Sequence, residues 1–513
     1  VVFWACLIAA LYLPTLALRF DFSEDGNLIY PWAPASLSQG LERFWGVVLA
    51  DYRGRGPFQP VVRAHLQVQA QLWGPAAFRW HLARVVWSAL ATATLLWLLL
   101  ELGIRPRAAL ATAAMAIWSP YRSSVWINLA LAEGAAMPYA MLGLACALRA
   151  TRSRRPSAWD VAGALAVLAA VGCKNTLAAI VPAQVLLRLG VDEHPLREGW
   201  RHHGRRACLL ALTLLAPMTH YILFRLNWHP GQYVTGMPSA ARLGGMLGAV
   251  GSAANLYFVG PGLALATLAI LWNPRPPTAS RSVGAELRRL WPRYRAACLA
   301  GSALLVFGIA VYLPVALREV YPRYSMPAVW GADLWVAATL SALLSATAGA
   351  WKRAAAVALG CGLGAMAIAN LAIQDRFAAH NSMLWQALEF IERRAPPNAT
   401  VGWMASPELP LEEGIHFFWH LQARGRKDLA IRLYDPQGRP QPRPEGSPTD
   451  IPPGLVVGTA SVVPPGGPWR EVREFAARFW GGTRRSRSYV WVKAEPLAGA
   501  PAEEAGRPPA RPR

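Results

Sequence analysis

Residues 19–26, RFDFSEDG, follow the apolar run 1–18 and set three carboxylates, Asp21, Glu24 and Asp25, directly behind it. Residues 1–18 carry no charge and read as a membrane helix, so the carboxylates stand at its watery end. The run has no basic start, and no small-residue cleavage site precedes Asp21, so it reads as a retained helix rather than a signal peptide.

Working outward, apolar runs recur along the whole chain. A composition of 54% hydrophobic and 16% charged residues, with mean hydropathy +0.25, excludes an ordinary soluble protein and predicts a polytopic membrane protein. The net charge of +22 would suggest nucleic acid in a soluble chain. Here much of the excess sits in short loops, where it encodes orientation, and no nucleic-acid partner is expected. The six cysteines lie in or beside apolar runs without a CxxC, which predicts packing rather than a disulfide framework or metal knuckle.

Length and hydropathy predict an α-helical fold with about eleven transmembrane helices, near residues 1–18, 82–102, 108–121, 126–149, 159–172, 176–190, 207–225, 247–271, 297–316, 326–348 and 354–373. With a cytoplasmic N-terminus, the arginine-rich loops 103–107, 149–155, 188–206, 275–295 and 352–353 all fall on the cytoplasmic side. This predicts a multi-pass protein of the inner (plasma) membrane whose C-terminal part is extracytoplasmic. The long outer loop 19–81 contains an apolar stripe at Leu37, Leu41, Phe44, Trp45, Val48 and Leu49, a helix lying along the surface, and a second short helix over 61–73.

Residues 1–373 thus form a transmembrane domain, and the chain then changes character. An amphipathic helix over 382–394 stops at Pro396 and Pro397, and strands are expected at 401–405, 429–434, 455–460 and 488–493, with a helix near 412–422. Residues 374–495 therefore read as a small α/β domain, and 496–513 as a disordered tail. The domain has no GxGxxG, nucleophile elbow or paired histidines, so it reads as a lid or support.

The groups able to do chemistry lie mostly on the outer side. Asp21 and Glu24 match a capping box, a local structural use. The same cluster at a membrane boundary can take a proton from a hydroxyl, or hold a divalent cation such as magnesium or manganese against a phosphate. Arg122, Lys174, Arg323 and Tyr324 fall on the same side under this topology, and such cations suit an anionic lipid head group. Snorkelling is the alternative use for each. Lys174 is the only lysine before residue 352 of an arginine-rich chain. Glu133 lies within an apolar run, where a transport or catalytic role stands beside a helix-to-helix bond. His65, His81, His220 and His229 lack ligand spacing and read as solvated or hydrogen-bonded.

Several pieces resemble one superfamily in their order: Ser23-Glu24-Asp25-Gly26, Phe58-Gln59-Pro60, and residues 78–84, FRWHLAR, leading into the second helix. Ala116-Ile117-Trp118-Ser119-Pro120, then Gly172-Cys173-Lys174-Asn175-Thr176 with Pro182, and Tyr321-Pro322-Arg323-Tyr324-Ser325-Met326-Pro327 extend the likeness over roughly residues 1–373. Together they resemble the GT-C integral-membrane glycosyltransferases, in particular bacterial relatives of protein O-mannosyltransferases and aminoarabinose transferases. The resemblance implies a polyprenyl-phosphate-linked sugar as donor, membrane lipids as surroundings, and a lipid, glycan or protein as acceptor. It gives the role of base or metal ligand to Asp25 with Glu24 beside it, and phosphate binding to Lys174 and Arg323. Phe58-Gln59-Pro60 stands where the family often has Tyr-Arg-Pro. A transporter or flippase of an anionic lipid or glycolipid is the alternative, and it predicts charges continuing through the bundle.

Overall fold

The computed structural model describes residues 1–22, 25, 37–50, 59–191, 196–212, 219, 239–253, 283–311, 325–346, 349–406, 409–441, 455–458, 470–476 and 489–494. The chain divides into two compact units, Val1–Leu18 with Pro34–Gln374, and Arg19–Ala33 with Asp375–Arg513. The expected outer loop 19–81 is thereby split, its acidic start belonging to the second unit.

In the first unit, helices begin and end where local chemistry directs. Pro60, Pro106 and Pro156 open Pro60–Trp73, Pro106–Trp118 and Pro156–Cys173, positions at which a missing N–H leaves no bond unmade. Ala77–Glu101 closes with Gly103 N–H donating to Leu100 O and Ile104 N–H to Leu99 O, both at 3.0 Å. Gly103 sits at φ +73°, which a side chain would strain, and the closure lets Ile104 turn inward and become buried.

Four described helices are long and apolar enough to cross a membrane: Ala77–Glu101, Pro156–Cys173, Met326–Ser345 and Arg353–Arg394. A fifth crossing results if Pro120–Ile127 and Ala132–Arg152, bent by 103° at their junction, count as one. Val2–Ala17, Asn175–Leu189, Leu243–Ser252 and Tyr294–Ala310 are shorter apolar helices. Much of the expected helices 207–225 and 247–271 lies outside the described residues.

Two expectations change. The helix expected over 126–149 is broken after Ile127, and its lower piece starts at Ala132. The helices expected at 354–373 and 382–394 are one helix, Gly349–Arg394, because the polar stretch between them, QDRFAAHN, contains neither glycine nor proline to stop it.

Among apolar surroundings, helices gain cohesion from close approach and from buried polar bonds. A Cβ on Gly331 would lie 2.4 Å from Gly301 O, so Val283–Ala310 and Met326–Ala346 meet backbone to backbone. Gly143 lets Ala132–Arg152 approach Pro156–Cys173 closely, since a Cβ there would lie 2.5 Å from a Val167 methyl. Asn370 Nδ2 donates to Tyr12 Oη at 2.9 Å and Trp118 O at 3.1 Å, and Tyr12 Oη donates to Ile117 O at 2.8 Å. These bonds tie the N-terminal helix, Pro106–Trp118 and Gly349–Arg394 together.

The second unit holds a five-stranded sheet: β1 Thr400–Met404, β2 Ala430–Tyr434, β3 Leu455–Gly458, β4 Arg470–Ala476 and β5 Tyr489–Ala494, in the order β2-β1-β3-β5-β4. β1 runs parallel to β2 and β3, whereas β5 is antiparallel to β3 and β4. Parallel strands need a crossover, and Leu411–Ala423 supplies it between β1 and β2. Its Phe417 ring lies 5.3 Å from Trp403 of β1, and Gly414 is the close-approach point, since a Cβ there would meet the Trp403 ring at 2.6 Å. β4 was not expected from the sequence, nor was the grouping of residues 19–33 with this sheet.

Candidate functional site

The acidic strap is built from the backbone outward. Asp21 N–H donates to Asp25 Oδ2 and Asp25 N–H to Asp21 Oδ1, both at 3.0 Å, so each side chain satisfies the other's main chain. The expected partner of Asp21 in a capping box, Glu24, lies outside the described residues. Both aspartates are buried, at 3% and 1% exposure, so their carboxylates keep fixed directions rather than wandering in solvent.

What buries the strap is aromatic. Phe22 packs against Trp385, Phe417 and His420 with ring centroids 5.3, 5.6 and 4.9 Å away. Trp385 Nε1 donates to Phe20 O at 2.8 Å, and Asn381 Nδ2 to Arg19 O at 3.0 Å. His420 Nε2 lies 3.0 Å from Asp21 O; a carbonyl only accepts, so this nitrogen carries the hydrogen. Burial pushes the His420 imidazole down to about 4, which keeps it neutral in that role.

Beside the strap, His380 Nε2 stands 3.3 Å from both oxygens of Glu413. Burial holds the Glu413 carboxyl above its ordinary range, against the opposing hydrogen bond and charge of His380, while the charge of Asp21 adds to the rise. The strap therefore lies within electrostatic reach of a histidine-carboxyl pair able to hold a proton. None of His380, Glu413 and His420 stands out in the sequence. They sit on helices whose pattern is amphipathic, and only the fold brings them to Asp21.

In the first unit, charges meet across helices. Lys174, at the end of Pro156–Cys173, pairs with Glu133 in the first turn of Ala132–Arg152. Glu133 is thus at a helix start, where the dipole favours it, and not within an unbroken span as the apolar pattern suggested. Arg84 donates to Leu129 O and Leu131 O, capping carbonyls that the break in the helix leaves exposed. His65 Nε2 lies 3.1 Å from Tyr139 Oη and stacks on Trp87.

Arg122 is buried, and its two terminal nitrogens each lie 2.7 Å from an Asp333 oxygen. That fork is a brace between helices, which differs from the phosphate contact expected of this arginine. Asp333 carried the same signal as Glu133, an acid inside an apolar run, and could have been found by it. His81 is buried in the first turns of Ala77–Glu101, and Arg323 and Tyr324 lie outside the described residues.

No protein-family model and no curated protein matches the sequence. Among solved structures, an oligosaccharyltransferase of Archaeoglobus fulgidus, in complex with zinc and sulfate, is similar at 13% identity with a TM-score of 0.45. The match covers 83% of this chain and 61% of that one, so this chain matches about three-fifths of that protein's length.

For a metal, the described residues contain no group of three or more His, Cys, Asp or Glu side chains arranged to hold one. Asp21 and Asp25 supply two carboxylates, each already accepting a backbone N–H. Such a pair suits only a magnesium-like ion that brings most of its ligands with a phosphate substrate.

Proposed function

We propose that the chain is a membrane glycosyltransferase that uses a polyprenyl-phosphate-linked sugar and acts on the outer face. The observation that carries this reading is the pair of buried, mutually oriented carboxylates, Asp21 and Asp25, directly behind the N-terminal apolar helix. Asp25 takes the proton of an acceptor hydroxyl as its oxygen bonds to the anomeric carbon. The bond from that carbon to the phosphate oxygen breaks, and the lipid phosphate leaves with the electron pair. A phosphate leaving group needs no general acid, so a single base suffices. Lys174, which would turn from Glu133 to the phosphate, and Arg323 are our candidates for the donor phosphate; Arg122, fully buried against Asp333, is assigned to structure.

The flippase reading predicts charges that continue through the bundle as a path for an anionic head group. The acids Glu133, Asp160 and Asp333 are instead matched by Lys174, Arg188 and Arg122. The test is transfer by purified protein in nanodiscs from a panel of polyprenyl-phosphate sugars, with and without chelator. Product from at least one donor is expected, and the chelator arm reports on a cation delivered with the phosphate. Folded protein that transfers from none of them, yet moves labelled glycolipid between leaflets, would overturn the reading.

A further inference from the structure

The first unit contains an apolar groove of about 540 Å³, within the range of about 300–1,000 Å³ usual for ligand sites, and nothing in the proposed reaction uses it. It is lined by Leu7, Leu110, Leu343 and Leu359, and also by two exposed arginines, Arg107 and Arg353. Those arginines belong to one end. Arg107 is in the first turn of Pro106–Trp118, and Arg105 beside it bonds to Ser341 Oγ and Leu344 O near the end of Met326–Ala346. Arg353 follows shortly, in the first turns of Gly349–Arg394. From Arg107 to Trp118, which also lines the groove, the helix rises about 16 Å at about 1.5 Å per residue. That is half of the about 30 Å hydrocarbon core, the depth of one leaflet.

We propose that this groove binds one anionic glycerophospholipid from the leaflet at the arginine end, with its phosphodiester at Arg107 and Arg353 and an acyl chain along the leucines. The apolar wall takes the chain, and two guanidinium groups at a leaflet-deep groove's mouth select the charge. Phosphate without a tail would lose the wall, and a zwitterionic lipid would gain little from the arginines. The proposal is independent of the glycosyl-transfer reading, since it concerns neither the acidic strap nor Lys174.

Delipidated full-length protein in detergent, mixed with phosphatidylglycerol or with phosphatidylcholine of the same chains, tests this by native mass spectrometry. One retained phosphatidylglycerol is expected, preferred by about thirtyfold from two arginines at a membrane surface. Arg107→Gln with Arg353→Gln should erase the preference. Gly360 lines the groove and a Cβ there meets nothing within 4 Å, so Gly360→Leu fills it while favouring the helix. It should lose the lipid, whereas Gly364→Leu, also open at its Cβ but off the lining, should keep it. Equal retention of the two lipids by wild type would overturn the proposal. So would a bound lipid unaffected by Gly360→Leu, or its displacement by glycerol 3-phosphate at equal concentration.

Discussion

The two units hold their most buried carboxylates in different ways. In the first, a buried charge meets an opposite charge from a distant helix: Arg122 with Asp333, Lys174 with Glu133, Arg188 with Asp160. In the second, Asp21 and Asp25 take each other's backbone N–H groups, and histidines and aromatic rings surround them. The difference separates charges fixed by an ionic partner from carboxylates fixed by backbone N–H groups. Removing a partner in the first unit strands a charge between helices, whereas an amide in place of Asp25 still offers the oxygen that its strap requires.

The largest effect is expected at the brace. Arg122→Ala leaves Asp333 buried without its guanidinium and should cost about 3–5 kcal/mol, read as a lower unfolding midpoint in detergent. The double variant Arg122→Met with Asp333→Leu should recover most of that loss, because no charge is left buried. A double variant as unstable as the single one would break the comparison by giving this pair more than a bracing role.

Acid should next single out the second unit. Burial lowers His416 to about 3 and His420 to about 4, so neutral imidazole is what the fold accommodates. Their contribution is fully present above about pH 6.5 and is lost as pH falls through the window toward pH 4, amounting to a few kcal/mol. Hydrogen exchange on β1 and Leu411–Ala423 should accelerate over that window. His416→Leu with His420→Leu should flatten the response.

A smaller cost tests close packing in the first unit. Gly331→Ala places a methyl 2.4 Å from Gly301 O, so two helix backbones must separate, at about 1–3 kcal/mol. Gly360→Ala, at a groove-lining position where a Cβ meets nothing within 4 Å, should be neutral or slightly stabilising in the same thermal scan.

Much of the fold was legible in local signals. The apolar stripe at 37–49 became Leu37–Ala50, the short helix expected over 61–73 became Pro60–Trp73, and β1, β2, β3 and β5 fell near their expected places. β4 was not expected because Arg470, Glu471, Arg473 and Glu474 interrupt the apolar run by which the other strands are recognised. It lies at the sheet edge. The candidate site was legible only as far as Asp21 and Asp25. His420 meets Asp21 across 399 residues and Asp333 meets Arg122 across 211, and no periodicity carries such pairings. Glu133 and Lys174 were each singled out, but their union depends on the break after Ile127, which an apolar pattern does not announce.

The most direct test of the account is the glycosyl-transfer rate of Asp25→Asn beside wild type, with Tm recorded for both. An unchanged Tm with a rate lower by about 10²–10⁴ is predicted, since the amide keeps the strap's hydrogen bond and cannot accept the proton. A fully active Asp25→Asn protein would contradict it.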